Sequence, residues 1–401
     1  MDFSLTSDQV LIRDTVRQFM EAEVRPLVRE YDRKETFPRS ELRSLGELGC
    51  CGMLIPEEWG GAGADTISYA LMLEEVARVD ASIAVTLSVT NSVAGLPIWK
   101  YGSDGQRRKY LGPLSRGEAL GAFCLTEPGA GSDAAAIETR ASRDGESYAL
   151  NGTKSWITNG GVAAVYLVFA KTDPRAGSRG VSAFLVEPSF PGFRIGRYED
   201  KMGLRLSRSA EIVFEDCRVP VENRLGIEGE GLKIALESLD GGRVGIAAQA
   251  VGLAQGAMEA AVRYAKQRRT FGRPIAEHQA IQWMLADMQT EIEAARALTH
   301  YAASVRDREC RKQGSAQELG ARTDRSSRLG PHASRAKLYA SEMANRVAYK
   351  AVQVHGSVAY SRETDVERFY RDARVLTIYE GTSEMQRTVI ARDLLRAGAL
   401  G

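Results

Sequence analysis

The residues able to do chemistry fall in a few short segments, of which the sharpest is 377–387, TIYEGTSEMQR. Ser383 and Gln386 have capping-box spacing for a final helix, which puts Gly381 and Thr382 in the turn entering it and Glu380 just outside. The apolar neighbours Val375, Leu376 and Ile378 imply a desolvated carboxyl, whose pKa rises and makes it a usable base near neutrality. The plainer reading is a solvated acid near a helix dipole, and spacing alone favours it. In 126–133, TEPGAGSD, the glycines permit backbone N–H groups to converge on an anion and Ser132 adds a hydroxyl, or the segment is simply a flexible loop. Trp156 and Thr158 follow in a strand, where a planar cofactor could stack, although most strand tryptophans are core. Arg263, Lys266, Arg268 and Arg269 gather at a helix end, suited either to the helix dipole or to a pyrophosphate.

Other chemistries find little support. There is no GxSxG elbow, HExxH, Walker loop or metal-ligand spacing, and the four histidines stand far apart, so no metal is expected. Gly129 to Ala134 fits GxGxxA, but turn residues arrive at Asp144 and Asn151 stands where a dinucleotide fold wants an acid. A net charge of +1, from 53 basic and 52 acidic residues, removes the broad attraction a nucleic-acid or membrane-surface binder needs. Apolar runs such as VYLVFA fall short of the ~20 residues that span a bilayer. Five scattered cysteines and an amino end without a targeting pattern suit the cytoplasm.

The elements positioning these residues divide the 401-residue chain into three segments. Residues 1–120 read as helical, with Ser7 or Asp8 as first cap, a face of Leu11, Thr15, Phe19, Val24, Leu27 and Tyr31, and further helices over 68–79 and from Ser103. Residues 121–231 read as strands; Asp144-Gly145 and Asn151-Gly152 predict tight hairpin turns, followed by VYLVFAKT, GVSAFLVEP, FRIGRY and AEIVFEDCRVP. Residues 232–401 return to helix. Gly241, Gly242, Gly245, Gly252 and Gly256 on the first long helix would admit another backbone, and Gly272 with Pro274 lie beyond its end. Residues 306–335, polar and rich in Gly and Ser, predict an exposed loop or short frayed helix.

In order, FCLTEPGAGSD, NGTKSWITNGG, KMGLR with FEDCRVP, LDGGRVGIAAQ, RRTFGRPIAEHQ and RDARVLTIYEGTSEMQ resemble the acyl-CoA dehydrogenase family over almost the whole chain, especially its short-chain, butyryl-CoA-type members. That resemblance implies an α+β multidomain fold: a helical N-terminal domain, a central β-barrel or sandwich domain, and a C-terminal four-helix bundle. It implies FAD and a homotetramer, a dimer of dimers. The implied reaction oxidises a saturated acyl-CoA to the trans-2-enoyl-CoA, a hydride passing from the β-carbon to flavin N5, with an electron-transferring flavoprotein as acceptor.

Carried over by residue, Glu380 matches the base that takes the α-proton. Phe123, Leu125, Thr126, Gly131, Ser132, Trp156 and Thr158 match flavin contacts. Arg268, Phe271, Gln279, Gln353, Gly356 and Ser357 match contacts made from an adjacent subunit, a set that Thr382 and Glu384 complete. Ser132, Asp240, Arg243 and Gly381 match acyl-CoA contacts. Some relatives carry the base at the position of Gly242, where glycine cannot serve, and the family commonly has glycine where Ser357 stands. The alternatives are an oxygen-using acyl-CoA oxidase on the same fold and a non-catalytic scaffold.

Overall fold

A computed structural model describes residues 4–317 and 329–396. The first seven helices are α1 Ser7–Phe19, α2 Val28–Lys34, α3 Arg39–Glu47, α4 Thr66–Val79, α5 Ala81–Ser88, α6 Leu96–Tyr101 and α7 Asp104–Ser115. Thr6, not Ser7 or Asp8, caps α1: its hydroxyl accepts from the Gln9 N–H while the Gln9 side chain accepts from the Thr6 N–H. The buried stripe is Val16, Met20, Val24 and Val28, with a π turn at Met20–Val24, while Leu11 is exposed. The expected face was thus displaced around the helix: Leu11 and Thr15 face water, and Phe19, Leu27 and Tyr31 are only partly buried. Asp65 and Ser103 cap α4 and α7.

The helical run Ala81–Tyr101 is long and apolar enough to cross a membrane by composition, yet 94% of its most apolar window is buried inside the protein. No sequence period marked it, since a helix apolar on all sides carries no polar stripe.

Eight strands follow: β1 Gly121–Cys124, β2 Arg140–Asp144, β3 Ser147–Thr158, β4 Val165–Lys171, β5 Val181–Val186, β6 Phe193–Tyr198, β7 Ser209–Pro220 and β8 Arg224–Leu225. They form one mixed sheet in the order β6-β7-β3-β2-β4-β5-β8, with β1 parallel to β4. The β2–β3 hairpin turns at Gly145, as expected from Asp144-Gly145. Asn151-Gly152 is no turn. It lies inside β3 at a bulge against β7, with Gly152 at φ 149°, where a Cβ would come within 2.5 Å of the Thr139 hydroxyl. After Gly131 the chain makes only one short 3-10 turn before β2, so it has no crossover helix.

The helices resume with α8 Gly231–Gln267, and the short antiparallel pair β9 Arg269–Thr270 and β10 Arg273–Pro274 turns through Phe271 and Gly272, both in left-handed conformation. Then come α9 Gln279–Gln317, α10 Leu329–His355, α11 Asp365–Ala373 and α12 Ser383–Arg396. The stretch expected as a loop is therefore helical up to Gln317 and again from Leu329, and its remainder lies outside the described residues. The glycines of α8 do admit a neighbour: Cβ atoms at Gly252 and Gly256 would stand 2.1 and 2.3 Å from the Glu74 and Arg78 carbonyl oxygens of α4. Helix α10 runs parallel to α8, since Arg243 reaches Ser334 and Tyr264 stacks on His355, the same 21-residue interval on each helix.

Candidate functional site

The final turn does not use the expected cap. Thr382 caps α12 by accepting from the Met385 N–H at 3.3 Å, and Ser383 is the first helical residue, its hydroxyl buried without a partner. Two adjacent cap-forming residues made the sequence ambiguous by one position. Gln386 instead donates to the Gly381 carbonyl at 2.8 Å and the Glu380 carbonyl at 3.3 Å. Lys337 of α10 donates to the same Gly381 carbonyl at 2.7 Å. These bonds hold Glu380 and Gly381 left-handed, at φ 52° and 89°, a conformation that costs a non-glycine residue about 1–2 kcal/mol. Tyr379 is tied from the other side, its hydroxyl donating to Gln249 of α8 at 2.5 Å.

The strained turn delivers the Glu380 carboxyl to the surface of α8. The residue as a whole is partly exposed, but its Oε2 is buried and has no hydrogen-bond partner. Burial pushes its pKa from 4.5 up to about 7, against the pull of the Arg243 and Lys337 charges. A Cβ at Gly242 would lie 2.8 Å from that oxygen and 3.2 Å from Val93 Cγ1, so only glycine leaves room for the acid. Arg243, one residue on, pairs with Asp240 at 2.5 Å and keeps a buried, unpartnered Nε. Burial raises the Asp240 pKa although Arg243 opposes it.

The 125–139 segment is anchored by a buried ion pair. Lys154 Nζ donates to Glu127 Oε1 at 2.7 Å and to the Leu125 carbonyl at 3.2 Å, while the Glu138 and Thr139 N–H groups donate to the Glu127 carboxylate. Glu127 and Ala130 exchange backbone bonds around Pro128-Gly129. The result is a fixed loop whose outer side is open: Gly131 and Ser132 are exposed, and Cβ atoms at Gly129 and Gly131 would meet nothing within 4 Å.

Trp156 is 60% exposed, so the core reading fails for it. Its φ of 61° at the second irregularity of β3 swings the ring out of the strand alternation between buried Lys154 and Ile157. Ser155 ties this place to the loop by donating to the Thr126 carbonyl at 2.9 Å. Thr158 is partly buried, opposite Ser209 of β7. Phe123 and Leu125 connect the loop to the helices. Phe123 packs on the apolar cluster of Val93, Val244 and Leu376, and Leu125 shares a cluster with Ile234 and Ala235 of α8.

The expected residues thus form two groups. Asp240, Arg243, Glu380, Gly381 and Thr382 gather where α8 meets the entry to α12, Phe123 and Leu125 pack toward the same helices, and the loop to Ser132 is tied to the Trp156–Thr158 end of β3 through Ser155, with Glu384 exposed on the first turn of α12. Arg268, Phe271, Gln279, Gln353, Gly356 and Ser357 are all exposed and sit at the far ends of α8 and α10. The 21 residues from Arg243 to Tyr264 put about 30 Å between the two groups at 1.5 Å per helical residue. Phe271 is 95% exposed and Gly356 has open space around it. Lys337, Lys154, Glu127 and Gln249 were not singled out from the sequence; their side-chain partnerships reach 27 or more residues along the chain, and a lysine on a helix is ordinarily solvated.

Comparison with known proteins places this arrangement. The chain matches family profiles described as the acyl-CoA dehydrogenase N-terminal domain over 6–118, middle domain over 122–217 and C-terminal domain over 229–395. It is 45% identical, over 99% of its length and 100% of the relative's, to the short-chain specific acyl-CoA dehydrogenase of Clostridium acetobutylicum. Against the human mitochondrial short-chain specific enzyme it is 45% identical over 96% of this chain and 90% of that one. The solved butyryl-CoA dehydrogenase of Megasphaera elsdenii superposes with a TM-score of 0.92 at 44% identity, covering 99% of this chain and 100% of that one. A chain from structural work on the electron transferring flavoprotein of Acidaminococcus fermentans gives 0.93 at 46% identity, covering 99% and 100%. With three successive domain profiles matched in order and two relatives aligned nearly end to end, the chain belongs to the acyl-CoA dehydrogenase family.

Proposed function

We propose that this protein is an FAD-dependent dehydrogenase of a short-chain acyl-CoA, forming the trans-2-enoyl-CoA with Glu380 as the base. One observation carries the reading: a carboxyl whose Oε2 is buried and unpartnered, with its pKa pushed up to about 7, facing a glycine that leaves it room. An α-C–H beside a thioester is a very weak acid in water, so a base must be desolvated and the developing enolate stabilised. Glu380 Oε2 takes the α-proton and the Glu380 N–H donates to the thioester oxygen. Buried Val93 and Leu376 help keep water from the reacting carbon. Arg243, Asp240, Ser132 and Gly381 orient the acyl-CoA.

The residues fit a flavin. The open side of the 129–132 loop, the protruding Trp156 ring and Thr158 offer backbone donors, a stacking face and a hydroxyl. Bound there, FAD would supply the acceptor for the hydride that leaves the β-carbon. Arg268, Phe271, Gln279, Gln353, Gly356 and Ser357 would contact FAD from a second protomer, a reading supported by their exposure some 30 Å from the base, and Thr382 and Glu384, beside the base, would complete that set. The working form is then a homotetramer, built from chains whose segments 1–120, 121–231 and 232–401 enclose the site. An electron-transferring flavoprotein is the acceptor, a reading supported by the Acidaminococcus relative.

The test is anaerobic addition of butyryl-CoA to the yellow protein. Its flavin bleaches, and Glu380→Gln keeps the colour while losing about 10³-fold in bleaching rate. Retained turnover in that variant removes Glu380 from its role.

A further inference from the structure

Lys337 is a lysine in an unusual place. It sits in the middle of α10 with a fully buried side chain, 0% exposed, on the face turned to α8 and the 379–386 turn. A buried ammonium is costly unless paired, yet its hydrogen bond goes to a neutral group, the Gly381 carbonyl at 2.7 Å. That carbonyl also accepts from Gln386 at 2.8 Å, so two donors from two helices converge on the Gly381–Thr382 peptide, one residue beyond Glu380. The Glu380–Gly381 turn is left-handed at both residues and has to be held.

We infer that Lys337 is a positioning residue for the base: its ammonium clamps the Gly381 carbonyl, fixing the strained turn that aims Glu380 at α8, and its positive charge favours the ionised carboxyl. This rests on Glu380 being the base. The other charged and titratable groups around the pair are Arg243 and Asp240 on α8, Tyr69 on α4, Glu342 on α10, Tyr379 before the base and Glu384 after it. Arg306 of α9 lies against Gly241, with a buried NH1 lacking a partner. Among these, Lys337 and Arg243 draw the Glu380 pKa down, and Arg243 is already engaged by Asp240. Burial lowers the Lys337 pKa to about 8, so it carries its charge through neutral pH. Gln386 supplies the same clamp without charge, which allows the two contributions to be separated.

The experiment follows anaerobic flavin reduction by butyryl-CoA against pH, using holoenzyme with excess FAD, in the parent, Lys337→Gln, Lys337→Arg and Gln386→Leu. The rate should rise through the base's titration. In Lys337→Gln, which keeps a donor and loses the charge, this acid limb moves up by about one pH unit, a tenfold slowing on its acid side. Lys337→Arg keeps the parent's limb. Gln386→Leu lowers the plateau but leaves the limb in place. A Lys337→Gln limb coincident with the parent's overturns the inference, as does a Gln386→Leu limb that moves equally far. Glu380→Gln, run beside them, separates the two failures: a bleaching Glu380→Gln removes the base, whereas an inert one with an unmoved Lys337→Gln limb removes only the role of Lys337.

Discussion

Replacing Glu380 by glutamine should make the protein more stable as it becomes inert, by an amount that depends on pH. The folded carboxyl holds its proton up to about pH 7, against 4.5 for the ordinary group. Between those values the folded chain binds more protons than the unfolded one, so its stability falls as pH rises. The contribution is complete well below 4.5 and gone above about 7, a change of some two and a half units, worth about 3.5 kcal/mol in full at 1.4 kcal/mol per unit. Glutamine does not titrate. The advantage of Glu380→Gln over the parent should therefore grow by about 3 kcal/mol between pH 4.5 and 7.5, or roughly 4 °C in the unfolding midpoint for a chain of this length. Thermal unfolding of both flavin-loaded proteins, followed by circular dichroism at half-unit pH steps, reads the difference directly. Two curves offset by the same amount at every pH would refute the desolvated state assigned to this acid.

Three further outcomes follow from the geometry. Gly242→Ala puts a methyl 2.8 Å from Glu380 Oε2; it should keep its flavin and slow bleaching by at least ~10-fold, as expected when a reacting group is displaced by about 1 Å, and an unimpaired rate would show that the carboxyl does not need that space. Lys154→Met leaves Glu127 buried without its ammonium and should cost about 3 kcal/mol in urea unfolding, with weaker flavin retention on gel filtration; Lys154→Met with Glu127→Gln should recover part of the stability. Trp156→Ala, at a ring 60% exposed, should change stability by less than about 1 kcal/mol while weakening FAD binding in a fluorescence titration. A large loss of stability with unchanged FAD affinity would return that tryptophan to a packing role.

How much of this was legible depends on the range of the forces involved. The strands were readable because Gly, Pro and Asp interrupt them at short intervals, whereas the local neighbours that pointed to a desolvated Glu380 only partly supply that setting: Leu376 is buried, but Ile378 is exposed, and the carboxyl lies against Gly242, 138 residues away in sequence. Asn151-Gly152 misled because the dipeptide that suits a turn also suits a bulge. The helical run Ala81–Tyr101 escaped notice because it is apolar on every side. Trp156 looked like core because most strand tryptophans are, and its left-handed backbone instead turns the ring outward. Lys337 left no trace in the sequence. Its partner lies 44 residues away, and nothing about a lysine in an alanine-rich helix announces that its amine is shut from water.

The parallel course of α8 and α10 has a genetic corollary. On the proposed reading each catalytic centre draws its base from one polypeptide and part of its cofactor grip from another, because about 30 Å separates those two sets on a single chain. Two inactive alleles, one damaged at Glu380 and one at Arg268, would then restore partial activity when co-expressed: in a mixed assembly some centres inherit an intact half from each parent.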